Sequence, residues 1–260
     1  VRGVRGGGTE VELVTSPRSA LPYLIVDCYL DELGAAQNLV PLLDGRPSTI
    51  VRAAFDPAPV SAEGFAGILL TGSAASILDP LPWIEPVLAL LRDAADREVP
   101  VFGICFGHQA IARALLGPEA VRAAVLSEIG WAEIELSGED PLLEGLERRF
   151  VCFLSHFDEV SPPLDGWEVL ARSERCPVQA FRVPGKPIWA VQFHPEMPPE
   201  ESERLVRRNL ARHAYRGEDP EPVLAQAVDR RDLGERLVAR FVDLAETWAD
   251  PRRQGREESV

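Results

Sequence analysis

The stretch Gly103-Ile104-Cys105-Phe106-Gly107 constrains this chain more than any other. Before it, Val99-Pro100-Val101-Phe102 reads as a buried strand. After it, residues 108–116 read as a helix. A reactive side chain between glycines, at a strand-to-helix turn, is the pattern of a nucleophile elbow. The glycines are needed because the turn is tight and neighbouring backbone approaches closely. The N–H groups and dipole of the following helix favour a thiolate over a thiol. Cys105 therefore stands where a cysteine becomes a nucleophile.

A thiolate that transfers acyl groups needs a base to return a proton to the leaving amine, and a group to orient that base. The apolar segment 188–193 reads as a central strand and runs into His194-Pro195-Glu196. In extended backbone, residues two apart leave on the same face. Pro195 disfavours helix at His194 and stiffens the spacing. The carboxylate of Glu196 can then hold one imidazole nitrogen while the other faces the thiolate.

An oxyanion needs donors as well. One is expected at the backbone N–H of Phe106, the residue after the nucleophile. The other is expected at Gly72, because Ala66-Gly67-Ile68-Leu69-Leu70-Thr71-Gly72-Ser73 is an apolar strand ending in a glycine turn.

Up to residue 118 the pattern alternates strand and helix. Strands are expected at 23–27, 48–52, 66–71 and 99–104, and helical faces at 31–43 and 83–95. Gly117-Pro118 ends the helix after the elbow. Such alternation predicts an α/β fold with a mostly parallel central sheet, flanked by helices on both faces. The rhythm then changes. Candidate strands at 121–125, 131–136, 150–154, 167–171 and 178–183 follow with short polar connections, predicting additional, partly antiparallel strands. A charged helix is expected over 199–216. Three regions result: a lead-in at 1–20, a main domain at 21–217, and a helical extension at 218–260 after the linker Gly217-Glu218-Asp219-Pro220-Glu221-Pro222. The extension carries an amphipathic stripe of Leu233, Leu237, Phe241, Leu244, Ala245 and Trp248. Such a stripe packs on its own domain or on a partner.

At three places the chain resembles the class I, triad-type glutamine amidotransferases, whose fold is flavodoxin-like. These are Leu70-Thr71-Gly72-Ser73, Gly103-Ile104-Cys105-Phe106-Gly107-His108-Gln109 and Gln192-Phe193-His194-Pro195-Glu196. Their order and separation match across roughly residues 22–216. The resemblance implies hydrolysis of the glutamine side-chain amide through a cysteinyl γ-glutamyl thioester, with release of ammonia. Cys105 is then the nucleophile, His194 the general base and later acid, and Glu196 its orienter. It further implies that Gln109 contacts bound glutamine, and that the backbone of Ser155-His156-Phe157-Asp158 lies against the substrate's amino-acid end. Glu128-Ile129-Gly130-Trp131 resembles stand-alone members similar to the amidotransferase domain of GMP synthetase, a subgroup that includes γ-glutamyl peptidases.

Composition narrows the remaining functions. The net charge of −14 disfavours binding to nucleic acid or anionic membranes. No run reaches transmembrane length, and residues 1–10 lack the apolar core of a secretory signal. Cys28, Cys105, Cys152 and Cys176 lie far apart. Reduced thiols in a cytoplasmic protein are therefore expected, with Cys28, Cys152 and Cys176 as small buried hydrophobes. His108, in the first turn of its helix, is expected to cap or pack, and His213 to be exposed. His156 is open between loop structure and contact with substrate or partner. No histidine pair has ligand spacing, so no metal or other cofactor is expected. The substrate is expected to be glutamine or another γ-glutamyl amide. No phosphate-cradling glycine loop follows the triad, so any ammonia-accepting synthase is expected on a separate polypeptide. Two alternatives stand beside the amidotransferase: a stand-alone γ-glutamyl peptidase using the same triad, and a binding protein that uses the fold without turnover.

Overall fold

A computed structural model describes residues 21–30, 35–211 and 219–248. The lead-in at 1–20 and His213 lie outside these residues. Nine strands form one sheet in the order β2-β1-β3-β4-β9-β8-β7-β5-β6. The strands are β1 (Tyr23–Asp27), β2 (Ser48–Arg52), β3 (Gly67–Leu70), β4 (Val101–Ile104), β5 (Val121–Leu136), β6 (Arg149–Val160), β7 (Glu168–Arg172), β8 (Ala180–Val183) and β9 (Ile188–Val191). The half from β2 to β9 is parallel, and the other half is antiparallel.

The parallel strands are short and almost wholly apolar because both faces are covered. Alternate residues leave a strand on opposite sides. Leu24, Val26, Ile68, Leu70, Val101 and Ala190 therefore pack with α2 (Ile84–Asp96) and α3 (Phe106–Leu116). Tyr23, Ile25, Leu69, Phe102, Trp189 and Val191 face the other way, with α1 (Ala36–Leu39) and the 3₁₀ turn Val40–Leu43. Most of that second layer comes from α6 (Arg231–Trp248), whose Leu233, Leu237, Val238, Phe241, Val242 and Ala245 are buried there. The stripe read in the extension thus covers this chain's own sheet. A short helix, α5 (Glu221–Leu224), begins in the last two residues of the expected linker, and α4 is Pro199–Leu210.

Three local readings change. The helix expected over 31–43 is, in its described part, one α-turn that tightens to 3₁₀ at Val40. Pro41 has no N–H to donate to the preceding turn, so the α-helix cannot continue. The separate strands expected at 121–125 and 131–136 are one strand, β5, whose pairing with β6 lapses between Ala123 and Glu128. Its arch leaves Val125 and Leu126 exposed. β9 ends at Val191, two residues early, because Gln192 and Phe193 bend out of the ladder.

Candidate active site

Cys105 turns the chain from β4 into α3 with φ 51° and ψ −99°. A positive φ is strained for a residue with a side chain and persists where surrounding structure over-determines it. Here Cys105 N–H donates to Val191 O at 2.8 Å, and Gly107 N–H donates to Thr71 O at 3.2 Å. The elbow is thereby stitched to β9 on one side and to the end of β3 on the other. Its glycines answer to crowding. A Cβ on Gly103 would lie 2.6 Å from Gly107 C, and one on Gly107 would lie 2.7 Å from Leu70 Cβ.

His194 follows β9 in the turn His194-Pro195-Glu196, not in extended backbone as the spacing suggested. The turn still brings the pair together: His194 Nδ1 and Glu196 Oε1 are 2.9 Å apart, and both residues are buried. His194 N–H donates to Phe153 O at 2.9 Å, which fixes the turn to β6. The second carboxylate oxygen of Glu196 is buried with no hydrogen-bond partner among the described residues. Burial alone would lower the proton affinity of His194. The Glu196 carboxylate, with a smaller contribution from the Cys105 sulfur, instead raises its pKa from 6.5 to about 10.

Gly72 sits beside both Cys105 and His194. A Cβ there would fall 2.8 Å from His194 Cε1 and 3.5 Å from Cys105 Cβ. Any side chain at this position would displace the imidazole. Phe106 is the first residue of α3, where a backbone N–H has no intrahelical acceptor.

Cys105, Phe106, Gln109, Ser155, His156, Phe157 and His194 line one cavity of about 510 Å³ at the C-terminal ends of the central strands. Glu196 stands behind His194. Gln109, read from sequence as a substrate contact, is nearly sealed: its Nε2 donates to Asp158 O at 2.9 Å and to Gln192 Oε1 at 3.1 Å. Ser155 offers its carbonyl to the Cys105 thiol at 3.9 Å, while its hydroxyl receives Asn209 Nδ2 at 2.7 Å. His156 is structural in its hydrogen bonding, bonded to Asp158 O and to Glu128. His108 packs against Phe181, and burial, aided by the charge of His156, lowers its pKa to about 3. It is not positioned as a second base. Burial raises the thiol pKa values of Cys28, Cys152 and Cys176.

Tyr29, Ser76, Arg208 and Asn209 are among the cavity residues that escaped the sequence reading. Tyr29 lies near Glu196 and Cys105, and its hydroxyl is raised well above 10, first by burial and then by the Glu196 charge. Arg208 and Asn209 come from α4, whose charged sequence reads as a solvated face. Ser76 donates to the Asp158 carboxylate at 2.6 Å, placing that carboxylate at the cavity wall. Burial raises the pKa of Asp158. Asp158 itself had a sequence signal, as the last residue of the Ser155-His156-Phe157-Asp158 segment.

A larger cavity, about 850 Å³, lies beside β5 and contains none of these reacting groups. Glu128, Trp131, Ser173 and Val223 are among its lining residues. At its edge, ligand-type atoms of Glu128, His156 and Cys176 lie within 4.8 Å of one another. The polar atoms of Glu128 and His156 are already engaged in hydrogen bonds. No described helix is long and apolar enough to cross a membrane.

Several known proteins are similar to this chain. One subunit of the glutamine-hydrolyzing GMP synthase of Thermococcus kodakarensis is 40% identical over 123 residues, covering 47% of this chain and 64% of that protein. The same subunit from Methanocaldococcus jannaschii is 35% identical over 146 residues, covering 56% and 72%. The chain thus spans just under two thirds of the length of the first of these relatives. Among solved structures, a glutamine amidotransferase from Methylobacillus flagellatus superposes with a TM-score of 0.67 at 27% identity, covering 87% of this chain and 96% of the other. One from Thermotoga maritima superposes at 0.70 with 19% identity, covering 87% and 98%, and shows the shared fold. Residues 25–213 match the family described as glutamine amidotransferase class-I, and this chain belongs to that family.

Proposed function

We propose that this protein hydrolyses the side-chain amide of glutamine through a γ-glutamyl thioester on Cys105. The observation that carries this reading is the meeting of the Cys105 elbow, the His194–Glu196 pair and Gly72 at one cavity. With His194 held protonated, its imidazolium favours the thiolate form of Cys105. The sulfur attacks the amide carbon, and the oxyanion that forms accepts the N–H groups of Phe106 and Gly72. Collapse breaks the C–N bond as His194 gives its proton to the departing nitrogen, releasing ammonia. A water molecule then attacks the thioester while His194 takes its proton. Glutamate leaves and the thiolate is restored. Glu196 holds the imidazole in register throughout. The Asp158 carboxylate at the cavity wall is suited to the substrate's α-ammonium group.

The relatives in Thermococcus and Methanocaldococcus are named as subunits of a synthase. That naming supports a separate ammonia-accepting partner for this chain. A second reading, a γ-glutamyl peptidase, is favoured by the cavity. Its roughly 510 Å³ falls in the range of drug-sized ligands and leaves room for a leaving group beyond ammonia.

Purified protein incubated with glutamine and a panel of γ-glutamyl amides separates the two readings by release of ammonia or of the substituted amine. Cys105→Ala is expected to abolish both. Turnover retained in that variant would refute the assignment of the nucleophile.

A further inference from the structure

A chain of buried hydrogen bonds runs from the larger cavity to the glutamine pocket. It starts at Glu128 in β5. Glu128 Oε1 accepts from Ser173 Oγ at 2.8 Å, and Oε2 accepts from Gln179 Nε2 at 2.8 Å. Oε2 also lies 3.0 Å from His156 Nε2. His156 Nδ1 lies 3.0 Å from Asp158 O, the same carbonyl that accepts Gln109 Nε2. Glu128, His156 and Gln179 are all at least nineteen-twentieths buried.

The donor and acceptor rules fix the protons. A carbonyl oxygen can only accept, so His156 Nδ1 carries a hydrogen. One further proton must lie between His156 Nε2 and Glu128 Oε2, since two facing lone pairs at 3.0 Å would repel. The carboxylate thus selects the imidazole state that donates to Asp158 O. That carbonyl in turn holds Gln109 Nε2, and Gln192 Oε1 holds it from the other side. With Nε2 engaged twice, Gln109 Oε1 is the amide's uncommitted polar atom among the described residues. At the cavity wall it can meet a substrate N–H.

We propose that Glu128 is a positioning residue that sets affinity for the γ-glutamyl substrate by fixing the orientation of the Gln109 amide. This rests on the reading of the cavity as a glutamine pocket. The chain does not reach Cys105, His194 or Glu196, whose own hydrogen bonds are separate. Its loss weakens binding and leaves thioester chemistry in place. In Glu128→Gln the carboxylate no longer selects the His156 proton state. The amide oxygen takes the Oε2 place, where Gln179 Nε2 donates, and accepts from His156 Nε2–H; in that tautomer Nδ1 turns a lone pair toward Asp158 O, and the clamp on Gln109 loosens.

The test uses the full chain. Glu128→Gln is expected to raise the KM for glutamine by about tenfold or more, with kcat within about threefold. Ser173→Ala removes one donor from the far side of Glu128 and is expected to raise KM by roughly two- to fivefold. It carries the test if Glu128→Gln does not fold. The rate of Cys105 alkylation by iodoacetamide should be unchanged in both. Glutamine affinity measured by calorimetry in a Cys105→Ser background should fall by the same factor as KM rises, whether or not turnover is detected. Folded variants that bind glutamine like the unaltered protein overturn the proposal. So does a loss confined to kcat. An unaltered protein that binds glutamine but releases no ammonia from it or from any γ-glutamyl amide refutes the parent reading and leaves the Glu128 test intact.

Discussion

His194 is the residue on which the proposed chemistry turns. Its pKa near 10 results from two opposed effects, burial against it and the Glu196 carboxylate for it. The protonated ring must be present to protonate the leaving amine. Turnover is therefore expected to persist into alkaline pH and to fall as pH rises through about 10. Glu196→Gln removes the charge but keeps the shape. Burial then dominates, and the alkaline limb should move to lower pH in a profile of kcat/KM. The loss of rate should be smaller than in Cys105→Ala or His194→Ala by about one to two orders of magnitude, since an orienter transfers no atoms. The same shift bears on stability. A raised histidine pKa contributes stability that is complete below 6.5 and lost as pH rises through 10. At this scale the sequence was legible where chemistry dictates spacing. Cys105 between glycines and His194 two residues from Glu196 could be named because each local pattern has a physical reason. Tyr29, Arg208 and Asn209 could not, because the cavity recruits them across the fold and a helical pattern such as that of α4 does not say which of its residues meets a cavity.

Among the elements, α6 supports the site from outside the cavity. Gly234 in its first turn lies against the His194-Pro195-Glu196 turn: a Cβ there would fall 2.6 Å from Pro195 O and 3.3 Å from Glu196 Cα. Both are backbone atoms and cannot rotate aside. Gly234→Ala is expected to push the His194-Pro195-Glu196 turn out of register and to lower kcat by up to about 100-fold. KM should change less than kcat, because the atoms that a Gly234 side chain would crowd belong to Pro195 and Glu196 and not to Gln109 or Asp158. A folded Gly234→Ala protein with the kcat of the unaltered enzyme would show that the turn does not depend on its helical support. The amphipathic stripe made α6 visible in the sequence, but periodicity says only that one face is apolar, not what lies against it. The long β5 was read as two strands for a related reason. Its register against β6 shifts between Ala123 and Glu128, and the loss of alternation there looks like a connection.

The whole molecule is a sheet with two helical layers, and the second layer depends on the extension. Phe241 is fully buried, stacks on Phe102 at 5.6 Å and meets Tyr23 and Trp189 edge-on. Phe241→Ala is expected to cost about 3–5 kcal/mol. The guanidinium midpoint should fall with an unchanged slope, in one transition, because the extension and the sheet share a core. Two transitions would show α6 unfolding by itself. The α/β class was legible because alternating apolar runs leave few topologies open. Strand order in the antiparallel half was not, since short polar connections permit several pairings. Helices close both faces of the parallel half, and the cavity opens instead at the strand ends, where Ala123, Ala124 and Ser127 form part of its wall. For the proposed reaction, a partner that collects the product is expected to dock at that rim of strand ends.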